Sequence, residues 1–154
     1  QMKGLKKRFP DFESFKEADI TTIFSSEELD KAAVFEVDQL KTVLLINEGN
    51  LSFTAASLPP EVQLSPVYAS VVNDFDQDGD MDILLGGNLF KVLPEMGIYD
   101  SSFGQYLENK GTNQFDLRPN GAGFQVKGEI RDLTILENLI LVNISGDSLT
   151  AFKY

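Results

Sequence analysis

The sequence contains no cysteine, no histidine and no tryptophan in its 154 residues. Without cysteine and histidine, this chain alone cannot build a disulfide, a thiolate or imidazole zinc site, a cysteine nucleophile or a serine–histidine pair. The chemistry that remains belongs to carboxylates, hydroxyls, lysines and metals bound through oxygen. The absence of cysteine leaves the redox compartment open, because many exported proteins also lack it.

Positive charge is also scarce, since 13 Lys and Arg stand against 24 Asp and Glu and give a net charge of −11. A field of that sign repels phosphate backbones, so no nucleic-acid partner is expected. Long apolar runs are missing as well. The longest are strand-sized and far below the roughly 20 residues that a spanning helix needs, so no membrane span is predicted.

Two kinds of periodicity divide the chain. Apolar residues at helical spacing between residues 9 and 32 predict a helical segment, in which Ser25 and Glu28 indicate a helix cap. From residue 34 onward, short β-branched and aromatic runs alternate with Gly, Asn and Asp. This pattern predicts an all-β body behind a helical entry segment at 1–32. The predicted strands are 34–37, 43–47, 51–56, 67–73, 82–87, 105–109, 114–117, 129–135, 139–144 and 148–153.

A turn motif recurs 62 residues apart. The stretches "LLINEGNLSF" (44–53) and "YLENKGTNQFD" (106–116) share the pattern Asn-x-Gly-x-x-x-Phe, and a weaker third copy follows at 141–152. Repeats of about 40 to 60 residues built from antiparallel strands are typical of β-propeller blades. We therefore expect about three antiparallel propeller-like blades, and a β-sandwich with similar hairpins is the alternative. The repeat region is predicted over 33–154, with units at about 33–57, 66–118 and 124–154.

The stretch "NDFDQDGDMDILLGGN" (73–88) carries five aspartates between two predicted strands. Counted from the first aspartate, carboxylates stand at positions 1, 3, 5, 7 and 9, and a glycine stands at position 6. Alternation brings positions 1, 3 and 5 to one side of a curled loop, the glycine permits a sharp bend at which position 7 offers its carbonyl, and position 9 closes the shell. Because Ca²⁺ accepts six to eight oxygens in irregular geometry, the pattern predicts one calcium ion. The predicted ligands are Asp74, Asp76, Asp78, Asp80 and Asp82.

The acidic stretch has two other interpretations. An EF-hand begins in a similar way but needs Glu at position 12, where this chain has Leu85 within an apolar run. A solvated acidic turn without an ion is the second alternative. It explains the charge but not the regular spacing of carboxylates around the glycine.

The loop resembles the calcium loop of the FG-GAP/VCBS repeat, the blade motif of integrin α-subunit propellers and of large secreted bacterial proteins. The family pattern Asp-x-Asp-x-Asp-Gly-x-x-Asp, followed by an apolar strand, is matched at 74–82, and residues 97–115 resemble the outer half of such a blade. Two features depart from the family: the Phe-Gly signature is absent before the loop, and Gly86-Gly87-Asn88 replaces the usual Gly-Ala-Pro. The first and third units lack an acidic loop, so the resemblance implies one structural calcium ion.

These observations predict a calcium-stabilised propeller segment of a secreted or cell-surface protein, hence extracytoplasmic, that acts as a binding, adhesion or scaffold module for a protein or glycan and not as an enzyme. Three units cannot close a ring, so we expect either a longer propeller or self-association. The alternative is an accessory domain or part of a polysaccharide-handling enzyme, with sugar contacted by Tyr68, Tyr99 or Tyr106.

Overall fold

The computed structural model describes residues 4–111 and 113–154. The chain divides into two compact units, residues 1–40 and 41–154. All described strands, and the acidic loop with them, belong to the second unit. Among the described residues, no helix is both long and apolar enough to cross a membrane.

Short helices occupy the first unit. The side chains of Asp11, Asp19 and Ser25 each accept a backbone N–H at a helix start, which satisfies donors that a short helix would otherwise leave open. Ser25 and Glu28 form the reciprocal cap expected from the sequence. The helical prediction for 9–32 is confirmed, as a series of separate turns. The helices are α1 Leu5–Arg8, α2 Phe12–Lys16, α3 Ile20–Ile23 and α4 Ser26–Asp30.

The described strands of the second unit form three antiparallel sheets, with strand orders β1-β2, β3-β4-β5-β6 and β7-β8-β9. The sheets are open and lie in chain order, which confirms a mostly β fold with a few short helices. Two 3-10 helices, Pro60–Gln63 and Pro119–Gly123, follow β2 and β6. The strands are β1 Val43–Gly49, β2 Ser52–Ser57, β3 Val67–Asn73, β4 Asp82–Gly87, β5 Gln105–Asn109, β6 Phe115–Leu117, β7 Ile130–Leu136, β8 Leu139–Ile144 and β9 Thr150–Lys153.

The predicted strand at 34–37 is wrong. Residues 33–40 belong to no helix or strand, and Val34, Phe35 and Val37 are largely exposed. A β-rich sequence becomes a strand only when a neighbouring strand takes its backbone hydrogen bonds, and the described residues provide none here. The other nine predicted strands are present, with ends that agree to within two residues.

The structure repeats itself in register. In β1–β2, Asn47 lies across from Phe53, and in β5–β6, Asn109 lies across from Phe115. A 3-10 helix follows each pair, and then a strand with a β-bulge near its start, in β3 between Val67 and Ala69 and in β7 between Ile130 and Asp132. The series β1, β2, β3, β4 therefore corresponds to β5, β6, β7, β8. By this register, the β8–β9 hairpin matches the β4–β5 connection, so the third motif copy at 141–152 stands at a different place in the repeat.

Two apolar clusters hold the sheets together. One lies between the four-stranded and three-stranded sheets and includes Leu84, Ile130 and Val142. The other buries Val62 and Leu107 completely, on the face of the four-stranded sheet that Leu44 of β1 contacts. Because both faces are covered, every residue of β4 and β5 is buried. The acidic loop therefore leads directly into β4, a strand whose residues are all buried.

Candidate functional site

The candidate site is the loop 74–81, which connects β3 to β4. Asp74 accepts hydrogen bonds from the backbone N–H groups of Asp78 and Gly79, both at 3.1 Å. Asp76 accepts from the same Asp78 N–H at 3.2 Å, and Asp78 accepts from the N–H of Asp80 at 2.9 Å. These bonds curl the loop, and Gly79 supplies the positive φ of 99° that the bend requires.

Three carboxylates converge inside this curl. Asp74, Asp76 and Asp78 each offer one oxygen, and these oxygens lie within 4.8 Å of one another. Asp74 is partly buried, whereas Asp76 and Asp78 are exposed. The alternation of carboxylates at positions 1, 3 and 5 therefore produces the convergence that the spacing predicts.

Asp82, the first residue of β4, is fully buried and lies outside this group of three. One carboxylate oxygen accepts the backbone N–H of Asn109 at 2.9 Å. The other accepts the Phe75 N–H at 3.1 Å and the Tyr106 hydroxyl at 2.7 Å. Asp82 thus links the start of the loop to β5. Burial of the Tyr106 hydroxyl, followed by its hydrogen bond to Asp82 and the negative charge of Asp82, raises the pKa of Tyr106.

Asp80 also lies outside the group of three. Its carboxylate faces the turn between β5 and β6, since a Cβ added to Gly111 would lie 3.6 Å from one of its oxygens. Of the five predicted ligands, the structure therefore brings three together and places the other two beside β5 and its turn. Coordination by Asp80 and Asp82 stays a prediction.

A buried acid that the sequence analysis did not consider stands next to the loop. Glu108 of β5 is held by two cations: its Oε2 contacts Lys110 Nζ and lies 2.7 Å from Arg118 Nε, and its Oε1 accepts from Arg118 at 2.8 Å. The Lys110 hydrogen bond, followed by the Arg118 charge, lowers the pKa of Glu108. Spacing along the chain could not reveal this residue, because only strand pairing brings β5 to the loop.

Asp76 experiences the opposite effect. Loss of water contact is the main cause that raises its pKa, and the negative charges of Asp78 and Asp82 and a hydrogen bond with Glu108 add to the shift. The backbone N–H of Asp78 opposes it. The charged form of Asp76 is therefore less favoured in the loop than in an isolated aspartate.

One further polar atom beside the loop is unsatisfied. Asn109 is buried, donates its side-chain amide to Met81 O at 3.2 Å, and leaves its Oδ1 without a hydrogen-bond partner among the described residues. The converging carboxylates of Asp74, Asp76 and Asp78 form an all-oxygen donor set. Such a set fits a hard divalent cation and suits neither zinc nor copper.

The three tyrosines predicted as sugar contacts have different surroundings in the structure. Tyr106 is buried and bonded to Asp82. Tyr68 carries the guanidinium of Arg131 on its ring face at 4.1 Å, and Tyr99 pairs through its backbone with Leu89.

Comparisons of the chain with family models, with curated proteins and with solved structures gave no match.

Proposed function

We propose that residues 41–154 are a calcium-stabilised β-propeller segment of a secreted or cell-surface protein, which serves as a binding or scaffold module rather than as an enzyme. The observation that carries the proposal is the convergence of oxygens from Asp74, Asp76 and Asp78. A divalent cation supplies positive charge at this point when bound. The three carboxylates would each give it one oxygen, and Asp80 and Asp82 stay predicted further ligands. In the structure, Asp82 links the start of the loop to β5 through its hydrogen bonds.

Calcium is favoured over magnesium by the character of the loop. Its oxygens come from one turn and from side chains of unequal burial, partly buried at Asp74 and exposed at Asp76 and Asp78. Ca²⁺ tolerates such irregular coordination, whereas Mg²⁺ demands near-octahedral geometry and keeps several waters. The FG-GAP/VCBS resemblance supports the same ion.

The propeller architecture is supported by the internal repeat. Sheets that recur with the same register, bulge position and 3-10 helix, and that stack face to face in chain order, are the arrangement expected of successive blades. The four-stranded middle sheet would be a complete blade, and the flanking sheets would be incomplete ones. A polysaccharide-handling role gains no support, since Tyr106 and Tyr68 are already engaged by Asp82 and Arg131.

The test is a melting experiment on the full chain with and without calcium. Saturation with a ligand that binds only the folded state stabilises it by about 2.7 kcal/mol at a hundredfold excess over Kd. Parent protein should therefore melt several degrees higher in calcium than in chelator, and Asp78→Ala should remove the difference. Asp147→Asn, in the exposed turn before β9, is the matched control and should respond like the parent. Equal stabilisation of Asp78→Ala and parent by calcium would refute the site.

A further inference from the structure

The outer edge of β9 has no strand partner among the described residues, whereas the corresponding edge of β5 is paired with β6. The correspondence rests on register. Leu107 of β5 lies across from Ile83, and Phe152 of β9 lies across from Ile140. The two isoleucines hold the same place in the repeat, because each lies three residues before the residue that is paired just after the bulge, Gly86 in β4 and Asn143 in β8. An unpaired edge offers a row of backbone N–H and C=O groups to another strand.

A cleft of about 550 Å³ opens beside this edge, between residues of the four-stranded and the three-stranded sheets. On the opposite face of the four-stranded sheet, the matching space is filled by Val62 of the first 3-10 helix and by Phe115 and Leu117 of β6. In the cleft, the second 3-10 helix has Gly121 at the position that Val62 occupies in the first. The described residues also provide no strand beside β9. Five aromatic side chains line the cleft: Phe75, Tyr106, Phe124, Phe152 and Tyr154.

We propose that the missing strand comes from a second copy of this chain, whose residues 35–37 pair antiparallel with residues 152–154. Phe35-Glu36-Val37 repeats the apolar, acidic, apolar order of Phe115-Asp116-Leu117 in β6. Phe35 and Val37 are 90% and 71% exposed and belong to no strand. Two large apolar side chains, two residues apart, are what the β6 register places against the matching cluster.

The proposed register also places opposite charges across from each other. In β5–β6, Leu107 faces Leu117, Glu108 faces Asp116 and Asn109 faces Phe115. The same register on β9 sets Val37 across from Phe152, Glu36 across from Lys153 and Phe35 across from Tyr154. Lys153 lines the cleft and has no ion-pair partner among the described residues. The acidic residue of the donated strand therefore meets a lysine, where β6 presents Asp116 to a glutamate already bound by two cations.

Sedimentation velocity of the full chain over a wide concentration range tests this inference. The salt is kept at physiological ionic strength, so that repulsion between two acidic copies is screened. We expect concentration-dependent self-association, and Phe35→Ser with Val37→Ser should weaken it at least about tenfold because two apolar side chains lose their burial. Both side chains are exposed in the monomer, so the variant should fold normally. Leu51→Ser, 95% exposed in the turn between β1 and β2, is the control and should associate like the parent.

Charge reversal then tests the register. Glu36→Lys or Lys153→Glu alone should each raise the dissociation constant of self-association about threefold, and the double variant should restore the parental value. A chain that stays monomeric at every concentration overturns the proposal, and so does association that survives Phe35→Ser with Val37→Ser. Association that neither charge reversal affects overturns the proposed register. Melting the same variants with and without calcium measures ion binding separately, so loss of self-association and loss of calcium stabilisation are told apart.

Discussion

The clearest energetic prediction compares two leucines that occupy the same place in the repeat. Leu45 lies across from Ala55 in β1–β2, and Leu107 lies across from Leu117 in β5–β6, each two residues before the turn asparagine. Leu107 is 0% exposed and packs in the cluster with Val62. Leu45 is 59% exposed, since the part of the chain that the structure describes places no β4-like strand beside β1. Substitution by alanine should therefore give very different losses at equivalent positions.

The magnitudes follow from burial. Leu107→Ala removes side-chain carbons from a closed cluster and leaves a cavity, which costs about 3 to 5 kcal/mol. Full burial of a leucine is worth about 1.5 to 3 kcal/mol, and Leu45 retains less than half of that burial, so Leu45→Ala should cost about 1 kcal/mol. Urea denaturation at low protein concentration, with the m-value checked for constancy, measures both losses. Similar losses for the two variants would refute the reasoning, because Leu45 would then be covered in solution.

Two more variants test the loops around the four-stranded sheet. Glu129 is buried, and the hydrogen bond from the Phe90 N–H and the charge of Arg131 lower its pKa below the ordinary 4.5. Its contribution to stability is therefore present above about pH 4.5 and is lost as the pH falls through the folded-state pKa. Glu129→Gln should flatten the acid limb of a stability profile recorded between about pH 3 and 6, and a profile that keeps the parental slope contradicts this role. Gly87→Ala should destabilise by about 3 kcal/mol or more, since the added Cβ would lie 1.9 Å from Pro66 O. Gly4→Ala, whose Cβ would meet nothing, should melt like the parent, and thermal unfolding compares the two.

The strands were predictable where local pattern and packing agree. β8 consists mainly of β-branched and large apolar residues, β4 carries the apolar run Ile83-Leu84-Leu85, and turn residues flank both strands. Every residue of β4 is buried, so packing favours the same strand that the local pattern predicts. The segment 34–37 has the same composition and forms no strand, because composition does not reveal whether a partner strand is present. The 62-residue motif predicted two matching turns, and they are the turns of the β1–β2 and β5–β6 hairpins.

The candidate site was predictable only as far as spacing reaches. Asp74, Asp76 and Asp78 converge because alternate residues of one curled loop share a side. The hydrogen bonds of Asp82 could not be anticipated, since its partners Tyr106 and Asn109 are 24 and 27 residues away. Glu108 was missed for the same reason.

The internal repeat also bears on why the acidic loop exists. β7 and β8 are joined by a two-residue turn at Glu137 and Asn138, in which Glu137 adopts a φ of 54°. The matching strands β3 and β4 are joined instead by the eight residues 74–81. Since a tight turn closes the same hairpin, strand connection does not require the longer loop, and its converging carboxylates add repulsion that a connector alone would avoid. The extra length and its converging carboxylates support the proposal of a cation there.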